Sequence, residues 1–112
     1  MHDGIAHFHL LFLLKLTHYL GFYPDDSEKA APYFNLEDGI FQIMAGGDYT
    51  QRGEAVETLK LFFGINFDDL DQIKTSKTER LQALNLLLLY YQLHLQGYKK
   101  PKSLLVLNQL FN

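Results

Sequence analysis

The sequence predicts a mainly α fold, a small helical domain with an inserted β-hairpin, and three observations support this prediction. Residues 77–96 contain no glycine or proline and are rich in Leu and Gln, which favour helix. Residues 5–20 form a second apolar stretch without either helix breaker. Between these stretches, Asp38-Gly39 separates two short apolar runs, a pattern typical of a hairpin.

The first helix is expected over residues 5–20, with Asp3 as its candidate cap. Its unbroken apolar run over residues 10–14 indicates burial on more than one side. Gly21 and Pro24 then mark a loop.

The hairpin is expected to pair residues 33–36 with residues 40–43, because the glycine of Asp38-Gly39 accepts the positive φ of a tight turn. An isolated hairpin is only marginally stable in water, so we expect it to lie on a helical surface. Residues 45–50, which include two consecutive glycines, are expected to form a loop.

Two shorter helices are expected next. The first covers residues 51–63 and stops at Gly64, and the second is capped by Asn66 and runs through Ile73. Asp68 and Asp69 fall in the first turn of the second helix, where the helix dipole favours negative charge.

The long helix over residues 77–96 is the centre of the predicted fold. Ser76 and Glu79 have the spacing of a capping box, and Gly97 stands where a left-handed C-cap is expected. Further leucines surround the predicted buried stripe, so the helix should be covered on several sides. Tyr90 lies among these leucines, which favours a place in the core over stacking on nucleic-acid bases; the same holds for Tyr91. The stripe is formed by Leu81, Leu84, Leu88, Tyr91 and Leu95.

A last helix is expected after Pro101, which ends any continuation of the long helix, with Ser103 as its cap. The connection over residues 97–102 is short, so this helix should pack antiparallel on the long one. The length of 112 residues suits one domain over residues 1–112. The apolar side of the last helix is formed by Leu104, Leu105, Leu107, Leu110 and Phe111.

The charges are unevenly distributed along the chain. Residues 1–73 hold four Lys or Arg against twelve Asp or Glu, whereas residues 74–102 hold six Lys or Arg against Glu79 alone. Such runs often form solvated faces, but they also suit an anion-binding surface. The two basic groups lie at opposite ends of the long helix, roughly 30 Å apart. An extended polyanion could therefore contact both groups, and a single pocket could not. The basic residues of the second region are Lys74, Lys77, Arg80, Lys99, Lys100 and Lys102.

Enzymatic chemistry finds little support in the residues. The chain has no cysteine, so disulfides, thiol nucleophiles and thiolate metal sites are excluded. None of the five histidines has a partner three or four residues away, the spacing that lets one helix present two metal ligands. The acidic clusters match no calcium loop, and no phosphate-binding glycine loop is present. We expect structural histidines, no metal, no cofactor and no catalysis.

The apolar run of residues 5–22 is interrupted by His7, His9, Lys15 and His18, which argues against a signal peptide or a membrane span. The expected location is the cytoplasm.

Three segments, in this order and spacing, resemble the C-terminal part of the RecO family of bacterial recombination mediators, closest to its Bacteroidetes-type members. They are Leu20-Gly21-Phe22-Tyr23-Pro24, the helix running from Thr78-Glu79-Arg80 to Tyr90-Tyr91-x-Leu93-His94-Leu95, and Lys102-Ser103-Leu104-x-Val106-Leu107. The hairpin corresponds to a small sheet that the family carries between its helices.

The resemblance implies a mainly α, RecO C-terminal-domain-like fold without the N-terminal OB-fold, and it suggests that upstream helices would cover the apolar faces. Many relatives hold zinc with four cysteines beside the hairpin. This chain lacks those cysteines, so its hairpin should be held by packing of Tyr33, Phe34, Ile40 and Phe41.

The resemblance also implies a role in DNA repair without catalysis: binding of single- or double-stranded DNA, strand annealing, and RecA loading with RecR as partner. It implies, too, docking of the acidic tail of single-stranded-DNA-binding protein. We expect anion contacts, to DNA or to the tail, from Lys77, Arg80, Lys99, Lys100 and Lys102. The competing hypotheses are a helical protein-interaction module without direct DNA binding, and a metal enzyme using His and Asp.

Overall fold

A computed structural model describes residues 2–95 of the chain, with side chains from residue 5 onward. The expected last helix, its lysine-bearing connection and the cap Gly97 lie outside the described residues. The elements are α1 (His2–Leu20), β1 (Tyr33–Asn35), β2 (Ile40–Gln42), β3 (Thr50–Gln51), α2 (Glu54–Lys60), a 3-10 helix (Phe67–Gln72) and α3 (Lys77–Leu95). The prediction of a mainly α fold with a small hairpin is confirmed.

Helix α1 begins at His2, earlier than expected, so Asp3 lies within the helix and the prediction that it caps the helix was wrong. Gly4 does not delay the start, because one glycine costs a helix only about 1 kcal/mol relative to alanine. The helix stops at Gly21, which has a φ of 93°. As predicted, the run over residues 10–14 is buried on several sides; Leu10, Leu11, Leu13 and Leu14 are each at most 2% exposed.

The sheet has three antiparallel strands in the order β2-β1-β3. The predicted hairpin is confirmed, with Phe34 opposite Phe41 and Gly39 in the turn at a φ of 66°. The prediction of a loop over residues 45–50 was wrong at its last residue, because Thr50 begins the third strand and lies opposite Asn35.

Helix α2 starts at Glu54, three residues later than predicted, because Gln51 pairs in the sheet. Gly53 adopts a φ of 110°, which is not helical. After Lys60 the chain continues in tighter turns, in which Phe63 N–H donates to the Lys60 carbonyl at 3.3 Å. Gly64, at a φ of 74°, ends this stretch as predicted.

The short helix expected after Asn66 is present as a 3-10 helix, Phe67–Gln72. The Asn66 N–H donates to the Asp69 carboxylate at 3.1 Å. This bond satisfies a backbone donor that the helix itself leaves unpaired.

Helix α3 begins with the predicted capping box. The Ser76 N–H donates to Glu79 Oε1 at 2.7 Å, and the Glu79 N–H donates to Ser76 Oγ at 3.1 Å. The two bonds satisfy orphan donors at the helix start, so the first turn is firmly placed.

The buried face of α3 differs from the predicted stripe. Tyr91 is the member of that stripe that is fully buried, and Leu81 is 49% exposed. Leucines occur almost all round this helix, so periodicity alone could not choose the face; the positions of α1 and α2, which pack on α3, decide it. The buried residues are Ala83, Leu86, Leu87, Tyr90 and Tyr91.

Aromatic packing anchors the sheet to the helices. The Phe34 ring lies 4.8 Å from the Phe41 ring and 5.5 Å from that of Tyr90, and Phe41 meets Phe63 edge-on at 5.7 Å. Of the four residues expected to hold the hairpin, Phe34 and Phe41 are buried, whereas Tyr33 is half-buried and Ile40 is 36% exposed. Successive strand residues point to opposite faces, so each strand contributes one ring to the core.

None of the helices within residues 2–95 combines the length and apolar character that crossing a bilayer requires.

Candidate anion-binding groove

A cavity of about 410 Å³ lies between the N-terminal half of α1 and the first turns of α3. Apolar side chains and two cationic side chains share its lining. We call it the α1–α3 groove; it is lined by Ala6, His9, Leu10, Lys77, Arg80, Leu81 and Leu84.

Lys77 and Arg80, both predicted as anion contacts, meet in this groove. They are three residues apart on α3 and therefore neighbours on one face of the helix. Lys77 is exposed, and Arg80 is half-buried. Arg80 Nη1 donates to the Thr75 carbonyl at 3.0 Å and contacts Thr75 Oγ1 at 3.5 Å.

The start of α3 bears on the electrostatics of the groove as well. The first turn of a helix carries the positive end of its dipole and favours anions nearby. Glu79, the acidic residue of this turn, accepts the bond from the Ser76 N–H. Because this capping box already uses donors of the helix start, the positive charge at the groove comes from Lys77 and Arg80.

Lys74 does not belong to this groove. It lines a separate cavity of about 300 Å³ together with Glu54, Glu57 and Glu79. The basic segment seen in the sequence is therefore divided, with Lys74 in acidic surroundings and the next two cations beside apolar residues.

Lys99, Lys100 and Lys102 lie outside the described residues. Their role as anion contacts, and the separation of roughly 30 Å between the two basic groups, stay predictions.

The α1 side of the groove was missed by the sequence analysis. Ala6, His9 and Leu10 stand at helical spacing and share one face of α1. The sequence did contain one signal for this face: a small residue, a histidine and a leucine at helical spacing. It is weak, because only the packing of α3 against α1 turns this face into the wall of a groove.

Two further cavities offer a poorer match to an anion. One, of about 550 Å³, lies beside β2, and Glu28 is the charged residue in its lining. The other, of about 380 Å³, lies at the end of α1 and combines Lys15 and His18 with Tyr19 and Tyr23. The first is apolar or acidic in character, and the second places one lysine among aromatic rings.

An aromatic strip occupies the outer side of α1. Phe8 and Phe12 are 46% and 42% exposed and stack with centroids 6.2 Å apart, and Phe67 lies 5.0 Å from Phe8. Lys15 Nζ lies 5.9 Å from the centre of the Phe67 ring. This strip is one part of the apolar surface that α1 leaves exposed; Ile5 and Leu20, at 54% and 43%, are exposed as well.

Two histidines make structural contacts. His7 is 2% exposed and its Nε2 lies 2.7 Å from Thr75 Oγ1, and His94 Nε2 lies 2.8 Å from the Leu36 carbonyl. Across the part of the chain that the structure describes, no three His, Asp or Glu side chains come together as metal ligands would.

Tyr90 and Tyr91 are core residues, as predicted, with exposures of 1% and 0%. Their phenols donate to the carbonyls of Phe22 and Leu13. Burial raises the pKa of both phenols above the ordinary value of 10.0. Neither ring is available to stack on a base.

The family model described as "Recombination protein O C terminal" matches residues 1–104. This chain belongs to the RecO C-terminal family. The resemblance noted in the sequence is thereby confirmed, and the helices that frame the groove lie within the matched residues.

Three curated relatives that this chain resembles are each named DNA repair protein RecO. The chain is 55% identical to the protein of Christiangramia forsetii, covering 97% of this chain and 46% of that protein. It is 40% identical to the protein of Flavobacterium johnsoniae, and the match covers 99% of this chain and 46% of that protein. It is 35% identical to the protein of Bacteroides fragilis, and the match covers 97% of this chain and 46% of that protein. The RecO-family chain thus spans less than half the length of these relatives. No solved structure matches it.

Proposed function

We propose that this chain acts in DNA repair and recombination as a non-catalytic binding part of a RecO-type mediator. The α1–α3 groove would take the acidic tail of single-stranded-DNA-binding protein. The observation that carries the proposal is the meeting of Lys77 and Arg80 with an apolar wall in one cavity.

The groove suits an acidic peptide with an apolar end in two respects. Its volume of about 410 Å³ falls in the range of pockets that bury small ligands, roughly 300–1,000 Å³. Leu81 and Leu84 can cover an apolar side chain, while the two cations meet carboxylates at the rim. An arginine binds a carboxylate in a fixed fork geometry, which favours a defined orientation of the peptide.

DNA is the second candidate ligand, and the exposure of Lys77 at a helix start favours it. A phosphate backbone could contact Lys77 and Arg80 and continue to Lys99, Lys100 and Lys102. For the whole protein we propose strand annealing and RecA loading, with RecR as partner, in the cytoplasm. We also propose that residues 1–112 form one domain and need no cofactor.

Fluorescence anisotropy with two labelled probes tests these ligands: an acidic peptide ending in Phe, and a single-stranded oligothymidine. Lys77→Glu is expected to weaken peptide binding roughly three- to tenfold, because it reverses a charge at the rim. Lys74→Glu is the matched control, since Lys74 lies outside the groove. Equal binding by wild type and Lys77→Glu would contradict the proposal.

Leu81→Gln separates the two ligands. Leu81 is 49% exposed, so the fold should tolerate the change. Loss of peptide binding with unchanged oligonucleotide binding supports the tail. The reverse pattern, with Lys77→Glu weakening the oligonucleotide alone, supports DNA. If neither probe binds, a pulldown that also recovers neither RecR nor single-stranded-DNA-binding protein would favour an interaction module unrelated to DNA.

A further inference from the structure

Three side chains from different parts of the fold form a line from the core to the rim of the α1–α3 groove. His7 Nε2 on α1 lies 2.7 Å from Thr75 Oγ1, and Arg80 Nη1 on α3 lies 3.5 Å from the same oxygen. The Arg80 Nη1 also donates to the Thr75 carbonyl at 3.0 Å. Thr75 stands between the 3-10 helix and α3 and belongs to neither element.

His7 is the fixed end of this line. It is 2% exposed, and its ring meets the Phe62 ring edge-on with centroids 5.6 Å apart. Because burial and the Phe62 contact restrict the imidazole, the hydroxyl bonded to it is restricted as well. The Thr75 side chain thus has a defined direction although its segment lacks regular secondary structure.

The hydrogen-bonding capacities are compatible with this arrangement. A threonine hydroxyl can donate one hydrogen bond and accept others, and a guanidinium can only donate. When Arg80 donates to Thr75 Oγ1, the hydroxyl hydrogen can point to an unprotonated His7 Nε2. Each group then meets a partner of the complementary kind.

We propose that Thr75, held by His7, is a positioning residue for Arg80. It presets the guanidinium at the rim of the groove for a carboxylate of an acidic peptide. The proposal rests on the peptide-binding function proposed above. Its physical basis is entropy: an arginine has many rotamers, and ordering one rotamer-rich side chain on binding costs about 0.5–1.5 kcal/mol. A guanidinium already held by Thr75 avoids part of that cost.

Thr75→Val removes the hydroxyl at nearly constant volume, and Thr75→Ser keeps the hydroxyl. We expect Thr75→Val to bind the labelled acidic peptide about two- to fourfold more weakly, which is part of this ordering cost, because the bond from Arg80 to the Thr75 carbonyl remains. Thr75→Ser should stay within about twofold of wild type. Equal binding by Thr75→Val and wild type would overturn the proposal.

A double-mutant cycle separates positioning from a general structural effect. In an Arg80→Gln background, Thr75→Val should cause no further loss, because the group that it positions is gone. A loss of the same size in both backgrounds would show that Thr75 acts on the fold and not through Arg80.

Side-chain NMR of the free protein gives a readout that needs no ligand. The Arg80 Nε–Hε group should lose order in Thr75→Val and in His7→Phe, and keep it in Thr75→Ser. Unchanged order in Thr75→Val overturns the proposal. If order falls but wild type does not bind the peptide, the peptide-binding function fails while the positioning of Arg80 stands.

Discussion

Tyr91 on α3 donates a hydrogen bond from its phenol to the backbone carbonyl of Leu13 on α1, 78 residues earlier in the chain. The neighbouring phenol of Tyr90 reaches the carbonyl of Phe22, just beyond the end of α1. These two bonds, from successive residues of α3, fix the register of α3 against α1 and the segment that follows it. The α1–α3 groove depends on that register, because its two walls come from these two helices.

Removing the Tyr91 hydroxyl should reduce stability with little change in shape. For Tyr91→Phe we expect the free energy of unfolding to fall by about 1 kcal/mol, the usual net value of a hydrogen bond. Urea denaturation followed by circular dichroism measures the change. Tyr19→Phe is the control, because Tyr19 is 86% exposed; its effect should stay within about 0.5 kcal/mol. Equal losses in the two variants would contradict the assigned role of the Tyr91 phenol.

Gly39 is required by its backbone and by its neighbour. Its φ is 66°, and an added Cβ would lie 2.6 Å from Tyr90 Oη. Gly64 has a similar φ of 74° with no atom within 4 Å of its Cβ position. Gly64→Ala should therefore cost about 1 kcal/mol of left-handed strain, and Gly39→Ala about 1–3 kcal/mol more from overpacking.

The Gly39 contact can be tested within the same series of urea denaturation curves. Adding Tyr90→Phe to Gly39→Ala removes the crowded oxygen and should recover part of the extra loss. If the two glycine variants are equally destabilised, the close approach to Tyr90 does not matter for the fold.

The buried face of α3 predicts contrasting effects of two leucines. Leu87 is 0% exposed and Leu81 is 49% exposed. Leu87→Ala should lower the free energy of unfolding by about 2–5 kcal/mol, because it leaves a cavity in the core. Leu81→Ala should cost less than about 1 kcal/mol. Chemical denaturation of both variants tests which face of α3 is buried. If the stripe that the sequence suggested were the buried face, Leu81→Ala would be the more destabilising variant.

Alkaline pH should unfold the protein through its buried tyrosines. Burial raises the pKa of Tyr90 and Tyr91 above 10.0, so the folded state keeps protons that the unfolded state releases. Stability is then fully retained below pH 10 and falls as the pH rises above it, by up to about 1.4 kcal/mol per pH unit for each phenol.

Urea midpoints measured from pH 8 to 11.5 test the alkaline effect. The variant Tyr90→Phe/Tyr91→Phe should lose less stability per pH unit than wild type does. An unchanged slope in that variant would mean that other groups cause the alkaline loss.

Local chemistry was readable from the sequence wherever the cause lies within a few residues. The capping box of Ser76 and Glu79, the hairpin turn at Gly39 and the stop at Gly64 all appear where they were predicted. Each depends on side chains or on a backbone conformation close in sequence.

The errors fall where distant partners decide. Gln51 was expected in a helix and pairs with Phe34 in the sheet. The two-residue strand β3 carries no pattern of its own, because its hydrogen bonds to β1 define it. The α3 stripe was misplaced for the same reason, since a helix with leucines almost all round gives no preferred side.

The sequence by itself determined the helical class, the hairpin and the family resemblance, and it predicted Lys77 and Arg80 as anion contacts. Each of these features follows from residue types that lie close together in the sequence, so it can be read without knowing how distant segments pack. Only the tertiary structure decided that Lys74 faces glutamates, that α1 supplies the second wall of the groove, and that His7 reaches Thr75 across 68 residues. Such relationships arise when helices pack, and packing depends on shape and contact between distant segments rather than on the order of neighbouring residues.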